Sequence, residues 1–327
     1  MLKRHLNQIT VALALAATLP LSFAQSAAPS WPSKPIKLIV PYAAGGPADV
    51  VARELALVLT ADLKQPVTVE NQGGGMGVPA LGVVTRAEPD GHTLLLAAFG
   101  NMVLQPMLSK KGGADLVAKL KPVSTISTGP HVLVVSAKLP VKNMPELIDY
   151  ARANPGKVSF ASAGTGGTAH LGMEMFKALS KTDVIHVPYK GSAGAVNDLI
   201  SGEVSAMFSS LPSLQGLADK GLVKVLAATA PSKSNATKSL PLIGSALPGF
   251  DYTTWYAMYA PLATSKPVVD AINSALTKAL KTPALVAKIE AAGTELQAGS
   301  PEEVQAWTQR DTEKWSRVIR DAKIAIE

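Results

Sequence analysis

Two glycine turns carry the residues best placed to do chemistry. In PYAAGGPADVVAREL, residues 41–55, the apolar run IKLIV at 36–40 breaks on Gly45 and Gly46 before an amphipathic stretch begins. In FASAGTGGTAHLG, residues 160–172, a second apolar run breaks on Gly164, Gly166 and Gly167 before another such stretch. A glycine turn from strand to helix leaves backbone N–H groups at the positive end of the helix dipole, where an anion is favoured. Taken alone, each turn is compatible with a phosphate, with a carboxylate, or with a mere change of chain direction.

With Gly46 as N-cap and Pro47 as the first helical residue, the cap supplies no side-chain oxygen to the first N–H groups. Those donors, Ala48 among them, stay open to a ligand. Asp49 at the third position complements the dipole, and either bonds the turn or touches the ligand. In the second turn the hydroxyls of Ser162, Thr165 and Thr168 add donors, and His170 lies in the first turn of its helix. No arginine falls in either turn, and Lys190 is the obvious cation beside a candidate cleft loop.

Enzyme readings use the same residues less well. Gly164-Thr165-Gly166-Gly167-Thr168-Ala169 fits the dinucleotide pattern G-x-G-x-x-A. The next apolar run ends His186-Val187-Pro188-Tyr189-Lys190 without the acid that a ribose requires, and no phosphate loop is present. A secreted serine hydrolase acting through Ser162 is the alternative from another class, with His92, His131, His170 and His186 as possible bases. Phe160, however, stands where G-x-S-x-G has its first glycine. There is no H-E-x-x-H and no histidine pair four apart, so neither metal nor cofactor is expected. His131 and His186, in apolar strands, read as core or rim histidines.

The N-terminus, MLKRHLNQITVALALAATLPLSFA, has Lys3 and Arg4, an apolar run from Ile9 to Leu19, and Ser22-Phe23-Ala24. It reads as a secretory leader, residues 1–24, cut after Ala24, which places the mature chain in the periplasm. There is no cysteine among the 327 residues, which excludes disulfides, thiolate metal sites and thiol catalysis. A chain of roughly 300 residues without disulfides needs a large core and has the length for one. Formal charge is +7, and without Lys3 and Arg4 the balance is 29 basic against 24 acidic residues, or +5. That mild excess, with no basic run, argues against a nucleic-acid partner.

The elements that must position the turns alternate along the chain. Strands are expected at 36–40, 67–69, 93–98, 131–137, 158–162, 184–188, 204–208 and 223–229, with amphipathic stretches between them. In the first such stretch Val51, Ala52, Leu55, Val58 and Leu59 form one stripe, opposite Arg53, Glu54, Thr60 and Asp62. Alternation of this kind predicts parallel sheets with helices on both faces. The pattern loosens over 230–261 and ends in three helical stretches. The last opens on Pro301 with Glu302 and Glu303, and carries a stripe of Val304, Trp307, Trp315, Val318 and Ala322.

In order, WPSKPIKLIVPYAAGGPADVVAREL, QPVTVENQGGGMG, EPDGHTLLLA, FASAGTGGTAHLG, HVPYKGSAGAVNDLISGEV and LPGFDYTTWYAMYAP closely resemble the extracytoplasmic substrate-binding receptors of tripartite tricarboxylate transporters, the Bug family. The resemblance covers essentially the whole mature chain. It implies an α/β, two-lobed periplasmic binding protein of type II, a Venus flytrap. Lobe 1 would comprise 25–128 and 230–327, and lobe 2 would comprise 129–229, with links near 128–130 and 228–231. It implies a monomeric receptor, not an enzyme, that pinches a small carboxylate between the two turns and hands it to integral membrane permease subunits. Carried over, the first turn supplies Tyr42, Ala43, Gly45, Gly46, Pro47, Ala48 and Asp49. The second supplies Ser162, Thr165, Gly166, Gly167, Thr168 and His170. Further cleft candidates are 73–77, 99–102 with Phe99, Asn101 and Met102 among them, Tyr189 with 190–192, Phe208, and Ser209 with Ser210.

Two departures bear on the ligand. Ala43-Ala44-Gly45-Gly46 replaces the common Pro-Ala-Gly-Gly, a change in turn stiffness. Ser205 and Ser209 stand where many relatives carry aspartate, which disfavours an ammonium-bearing ligand. With Phe99, Met102, Tyr189 and Phe208 as a flat apolar wall, an amine-free acid is expected. The expected ligand is an aromatic or otherwise amine-free mono- or dicarboxylate, an aromatic dicarboxylate such as terephthalate among the candidates, with citrate-type acids behind.

Overall fold

The structure, a computed structural model, describes residues 31–108, 113–189, 192–291 and 294–321. The expected leader and its cut after Ala24, as well as Lys190 and Ala322, lie outside them. The first part of the chain runs β1 (Ile36–Val40), α1 (Pro47–Leu63), β2 (Val67–Asn71), α2 (Val78–Thr85), β3 (Thr93–Ala98), α3 (Gln105–Leu108), α4 (Gly113–Val117) and β4 (Leu120–Pro130). Next come β5 (Val132–Ser136), α5 (Met144–Ala153), β6 (Val158–Ser162), α6 (Thr168–Ser180), β7 (Val184–Pro188), α7 (Ser192–Ser201), β8 (Ala206–Ser209), α8 (Pro212–Asp219) and β9 (Val223–Ala228). The remainder is α9 (Ile243–Ala246), β10 (Thr253–Pro261), α10 (Lys266–Ala279), α11 (Pro283–Ala291), β11 (Glu295–Leu296) and α12 (Pro301–Asp321). No helix among the described residues is long and apolar enough to cross a membrane.

The strands form two sheets, β11-β4-β10-β3-β1-β2 and β7-β6-β8-β5-β9, so the fold is α/β with two lobes. In each, a parallel trio matches the strand and helix alternation: β1 between β2 and β3, β6 between β7 and β8. The expectation of parallel sheets throughout fails at three strands, the two-residue β11 antiparallel to β4 among them. β10 runs antiparallel between β3 and β4, and β5 runs antiparallel to β8 and β9. β4 and β10 were also invisible as strands. β4 buries Ser124, Thr125 and Ser127 completely, and their polarity hides the apolar alternation. Burial is tolerated because Ser124 Oγ donates to Gly299 O at 3.0 Å and Thr125 Oγ1 to Gln297 O at 2.7 Å.

The chain passes between sheets where β4 ends at Pro130 and β5 begins at Val132, and again between β9 and β10. These two passages are stitched together. Thr229 N–H donates to His131 O at 2.9 Å and Tyr252 N–H to Thr229 O at 3.2 Å. Thr229 Oγ1 accepts from His131 N–H at 2.9 Å and donates to Tyr252 O at 2.8 Å.

A run of aromatic rings continues from one lobe to the other through α12. Phe99 meets Trp315 at 5.6 Å between ring centroids, Trp315 meets Tyr252 at 5.9 Å, and Tyr252 meets Phe208 at 6.0 Å. Phe208 then stacks on Phe160 at 5.7 Å. The apolar stripe of α12 is as expected: Val304 and Trp315 are buried, and Trp307 and Val318 pack partly buried against the same core. The polar Asp311 is buried on this helix because its Oδ2 accepts from Trp255 Nε1 at 2.7 Å. Trp315→Ala removes the ring that joins Phe99 to Tyr252. It should destabilise the chain by about 3–5 kcal/mol, the usual cost of deleting a buried tryptophan, measured by urea unfolding.

Candidate functional site

Both glycine turns leave the carboxyl ends of the central parallel strands, at the points where the strand order reverses. That is where open α/β sheets bind ligands. The first turn connects β1 to α1. Gly46 is the N-cap with no side-chain hydrogen bond, and Pro47 occupies the first helical position. Gly45 adopts φ +83°, a left-handed conformation that strains any residue with a Cβ. Its N–H is not free for a ligand: it donates to Asp49 Oδ2 at 2.9 Å, an oxygen that also accepts from Arg53 Nε at 2.9 Å. Burial raises the Asp49 pKa, but hydrogen bonds from Arg53 and Gly45 outweigh it and hold the carboxyl below its ordinary range. Arg53 reaches on to Asn71 Oδ1 at 3.0 Å, and Asn71 Nδ2 donates to Tyr42 O at 3.2 Å.

The second turn, between β6 and α6, repeats the device. Gly167 is the N-cap, again without a side-chain bond, and Gly166 adopts φ +77°. Gly166 N–H donates to His170 Nδ1 at 3.1 Å, and His170 Nε2 lies 3.5 Å from Glu174 Oε1. The sequence spacings are identical in the two turns: Gly45 to Asp49 to Arg53, Gly166 to His170 to Glu174. The interaction with His170 is the first cause holding the Glu174 pKa low. His170 stacks on His186 at 3.8 Å and 19°. His186 Nε2 is 2.7 Å from Ser162 Oγ, which donates to Gly164 O at 3.0 Å and accepts from Gly164 N–H at 3.2 Å. Burial, and secondarily His170, lowers the His186 pKa to about 4. The ring is therefore neutral at neutral pH and offers Nε2–H to Ser162.

What remains for an anion is the first turn of each helix. Helix geometry leaves the N–H groups of Ala48 and Asp49 in α1, and of Thr168, Ala169 and His170 in α6, without an intrahelical acceptor. Each helix start also carries about half a positive charge. The donors lie one to three residues beyond the glycines that the sequence singles out. The two turns approach one another at Gly100, where a built Cβ would lie 3.6 Å from Thr168 Oγ1 and 3.7 Å from the Tyr42 hydroxyl. Ala43, Gly45, Pro47 and Thr165 are exposed on the turns. Gly73 packs under the first turn, where a Cβ would come within 2.9 Å of Ala43 N.

Several expected contacts fall elsewhere. Phe99 and Met102 are buried, with Phe99 against Trp255 and Trp315. Phe208 is 2% exposed between Phe160 and Phe250. These three side chains build the core, so they form no flat wall. Asn101 is spent inside the protein, accepting from Ala98 N–H at 3.1 Å, donating to Met76 O at 3.1 Å and hydrogen-bonding the Tyr42 hydroxyl. The Tyr189 hydroxyl donates to Asp198 Oδ2 at 2.5 Å, and burial together with Asp198 pushes its pKa up to about 12. Ser209 ends β8, partly exposed at its carboxyl end, whereas Ser205 lies at the opposite end of that strand and is tied to Ser159. Arg53 and Glu174 were not anticipated, although their four-residue spacings were legible. Gly100 falls within the expected 99–102 segment, and His186, weighed as a base or as a core or rim histidine, comes to the second turn through the pairing of β7 with β6. The Ser162–His186 distance suits a nucleophile and base, yet Ser162 is 1% exposed and its hydroxyl is committed to the turn.

The family model described as tripartite tricarboxylate transporter family receptor matches residues 51–324. The chain is 32% identical to protein BugT of Bordetella pertussis over 90% of its own length and 91% of BugT. Among solved structures it is similar to Rpa4515 of R. palustris with adipate, at 30% identity and a TM-score of 0.85, covering 90% of this chain and 99% of that one. It is also similar to the periplasmic binding protein BugD, at 32% identity and a TM-score of 0.82, covering 90% and 99%. MatC of Rhodopseudomonas palustris with bound malate follows at 27% identity and a TM-score of 0.80, covering 88% and 100%.

Two histidines make stability depend on acidity. Burial lowers His131 to about 4, matching His186, against 6.5 for an ordinary imidazole. Below about pH 6.5 the unfolded chain takes up protons that the folded chain refuses. Stability is therefore full above that pH and declines toward pH 4, by up to about 1.4 kcal/mol per pH unit for each ring. Urea unfolding at about pH 7 and pH 5 should show this decline, and His131→Asn should remove its share.

Proposed function

The chain belongs to the tripartite tricarboxylate transporter receptor family, and from that premise we propose that it captures an aliphatic dicarboxylate and delivers it to the membrane subunits of such a transporter. Receptors of this family bind small carboxylates and work with a transporter, and its members are periplasmic binding proteins rather than enzymes. The observation that carries the ligand class is the pair of uncapped helix starts, on turns that approach one another where Thr168 nears Gly100. Each start offers backbone donors and partial positive charge, which suits a carboxylate and needs no cationic side chain.

Amines are disfavoured, because Asp49 is paired with Arg53 and Glu174 with His170. The case for an aromatic acid weakens once Phe99, Met102 and Phe208 are core. Rpa4515 with adipate and MatC with malate, both similar over most of this chain, hold aliphatic dicarboxylates. In this reading lobe 1 is 25–128 with 230–327 and lobe 2 is 129–229. The passages stitched by His131, Thr229 and Tyr252 act as the hinge.

Thermal shift and calorimetry on the mature protein test the proposal. Adipate or malate should raise the melting temperature as RT ln(1 + [L]/Kd) requires, while glutamate and terephthalate should do so less. Thr168→Pro follows an extended Gly167, so proline fits there as Pro47 does after Gly46. It should leave the unliganded melt nearly unchanged yet weaken binding about 10- to 100-fold, by removing one hydrogen bond to a charged oxygen. Full affinity in Thr168→Pro would remove the start of α6 from the site.

A further inference from the structure

The two turns are braced by the same construction with different chemistry. In the first lobe the acceptor for the glycine N–H is the carboxylate of Asp49, with Arg53 behind it. In the second it is Nδ1 of His170, with Glu174 behind it. We propose that His170 is the positioning residue of the second anion-binding turn and that its neutral imidazole makes ligand capture pH-dependent through that lobe alone. This deepens the receptor reading above and rests on it for the ligand.

The physical argument concerns the acceptor. A carboxylate paired with arginine keeps its lone pairs through the mildly acidic range, so the Gly45 brace persists there. A neutral imidazole has one lone pair, and at His170 that lone pair receives the Gly166 N–H. Protonation at Nδ1 turns the acceptor into a donor facing another donor. Gly166 then loses its partner at φ +77°, and the start of α6 loses its fixed direction. The groups facing the imidazole are Glu174 from its own helix and His186 from β7, with Ser162 of β6 behind His186. Lys177, one turn along α6, acts on Glu174. Glu174 favours a charged ring at this place, and a second charged ring at His186 would oppose it.

Two measurements on the mature protein test this. In the ligand-free protein, the Gly166 amide resonance should move together with the His170 ring resonances as the solution is taken from neutral to mildly acidic pH, while Gly45 stays flat. For binding, the probe is adipate, measured calorimetrically over the same range in wild type and in His170→Asn. Asn Oδ1 stands where Nδ1 does and does not titrate, so the ratio of the two affinities cancels the ionisation of adipate itself. That ratio should fall about fivefold from the neutral to the acidic end, the worth of one hydrogen bond. His170→Leu, lacking any acceptor, should bind weakly throughout and lose the pH dependence. A Gly166 amide that ignores the His170 titration, or a constant affinity ratio, overturns the brace. If adipate and malate fail to bind while Gly166 still follows His170, the brace stands and the ligand class is wrong.

Discussion

A helix that starts on glycine leaves its first N–H groups unanswered, and this chain builds two such starts on turns that approach one another. A buried unsatisfied donor costs roughly 1–3 kcal/mol, so both starts hold a standing demand for an acceptor. Much of the surrounding structure exists to keep that demand unmet by the protein itself. The caps are glycines, without the Ser, Thr, Asp or Asn that would satisfy the helix internally. The side chains that could have capped the helices, Asp49 and His170, instead take the N–H of the preceding glycine, Gly45 or Gly166. They stiffen the turn and leave the helix donors pointing outward.

In the first turn the brace residue Asp49 carries charge beside the proposed anion site, and its partner answers that difficulty. Two unit charges 4 Å apart interact by about 1 kcal/mol in water and about 4 kcal/mol at a protein surface, so an unpaired Asp49 carboxylate would repel a ligand carboxylate appreciably. Arg53, four residues on, pairs with it. In the second lobe the polarity is reversed, with an imidazole near the ligand and Glu174 behind it. The acid therefore stands next to the turn in the first lobe and one helical turn farther back in the second. The same spacing serves two chemistries because helical neighbours four apart share a face.

Most of the parallel framework was legible in the sequence. The runs at 36–40, 93–98, 158–162 and 184–188 are strands with those bounds. The first three read as continuous apolar segments because they are mostly buried beside parallel partners, whereas the run at 184–188 is a half-exposed edge strand, recognisable by its β-branched residues. The glycine turns, their helices and the stripe of α12 were legible for the same local reasons. What escaped were elements defined by the other half of the chain. β10 enters the first sheet from beyond residue 230, and β4 hides buried serine and threonine whose partners lie more than a hundred residues away. His186 reached the second turn only because β7 pairs with β6 in a register that sets it beside Phe160.

The aromatic residues show why a carboxylate was readable from sequence and its shape was not. Backbone donors at a helix start recognise any carboxylate, and their presence depends on local residues alone. Walls depend on which side of a strand end a large ring takes. Phe99 follows β3 and Phe208 lies within β8, near the cleft in chain order, yet both turn inward because Tyr252 and Trp315 arrive from later in the chain to cover them. A ring facing solvent in an isolated lobe becomes core once the second passage and α12 are in place. Gly100, Thr168 and the Tyr42 hydroxyl are the groups brought together where the two turns approach. A flexible acid can fold its chain around such groups, whereas a planar ring would need a flat wall that these rings no longer supply.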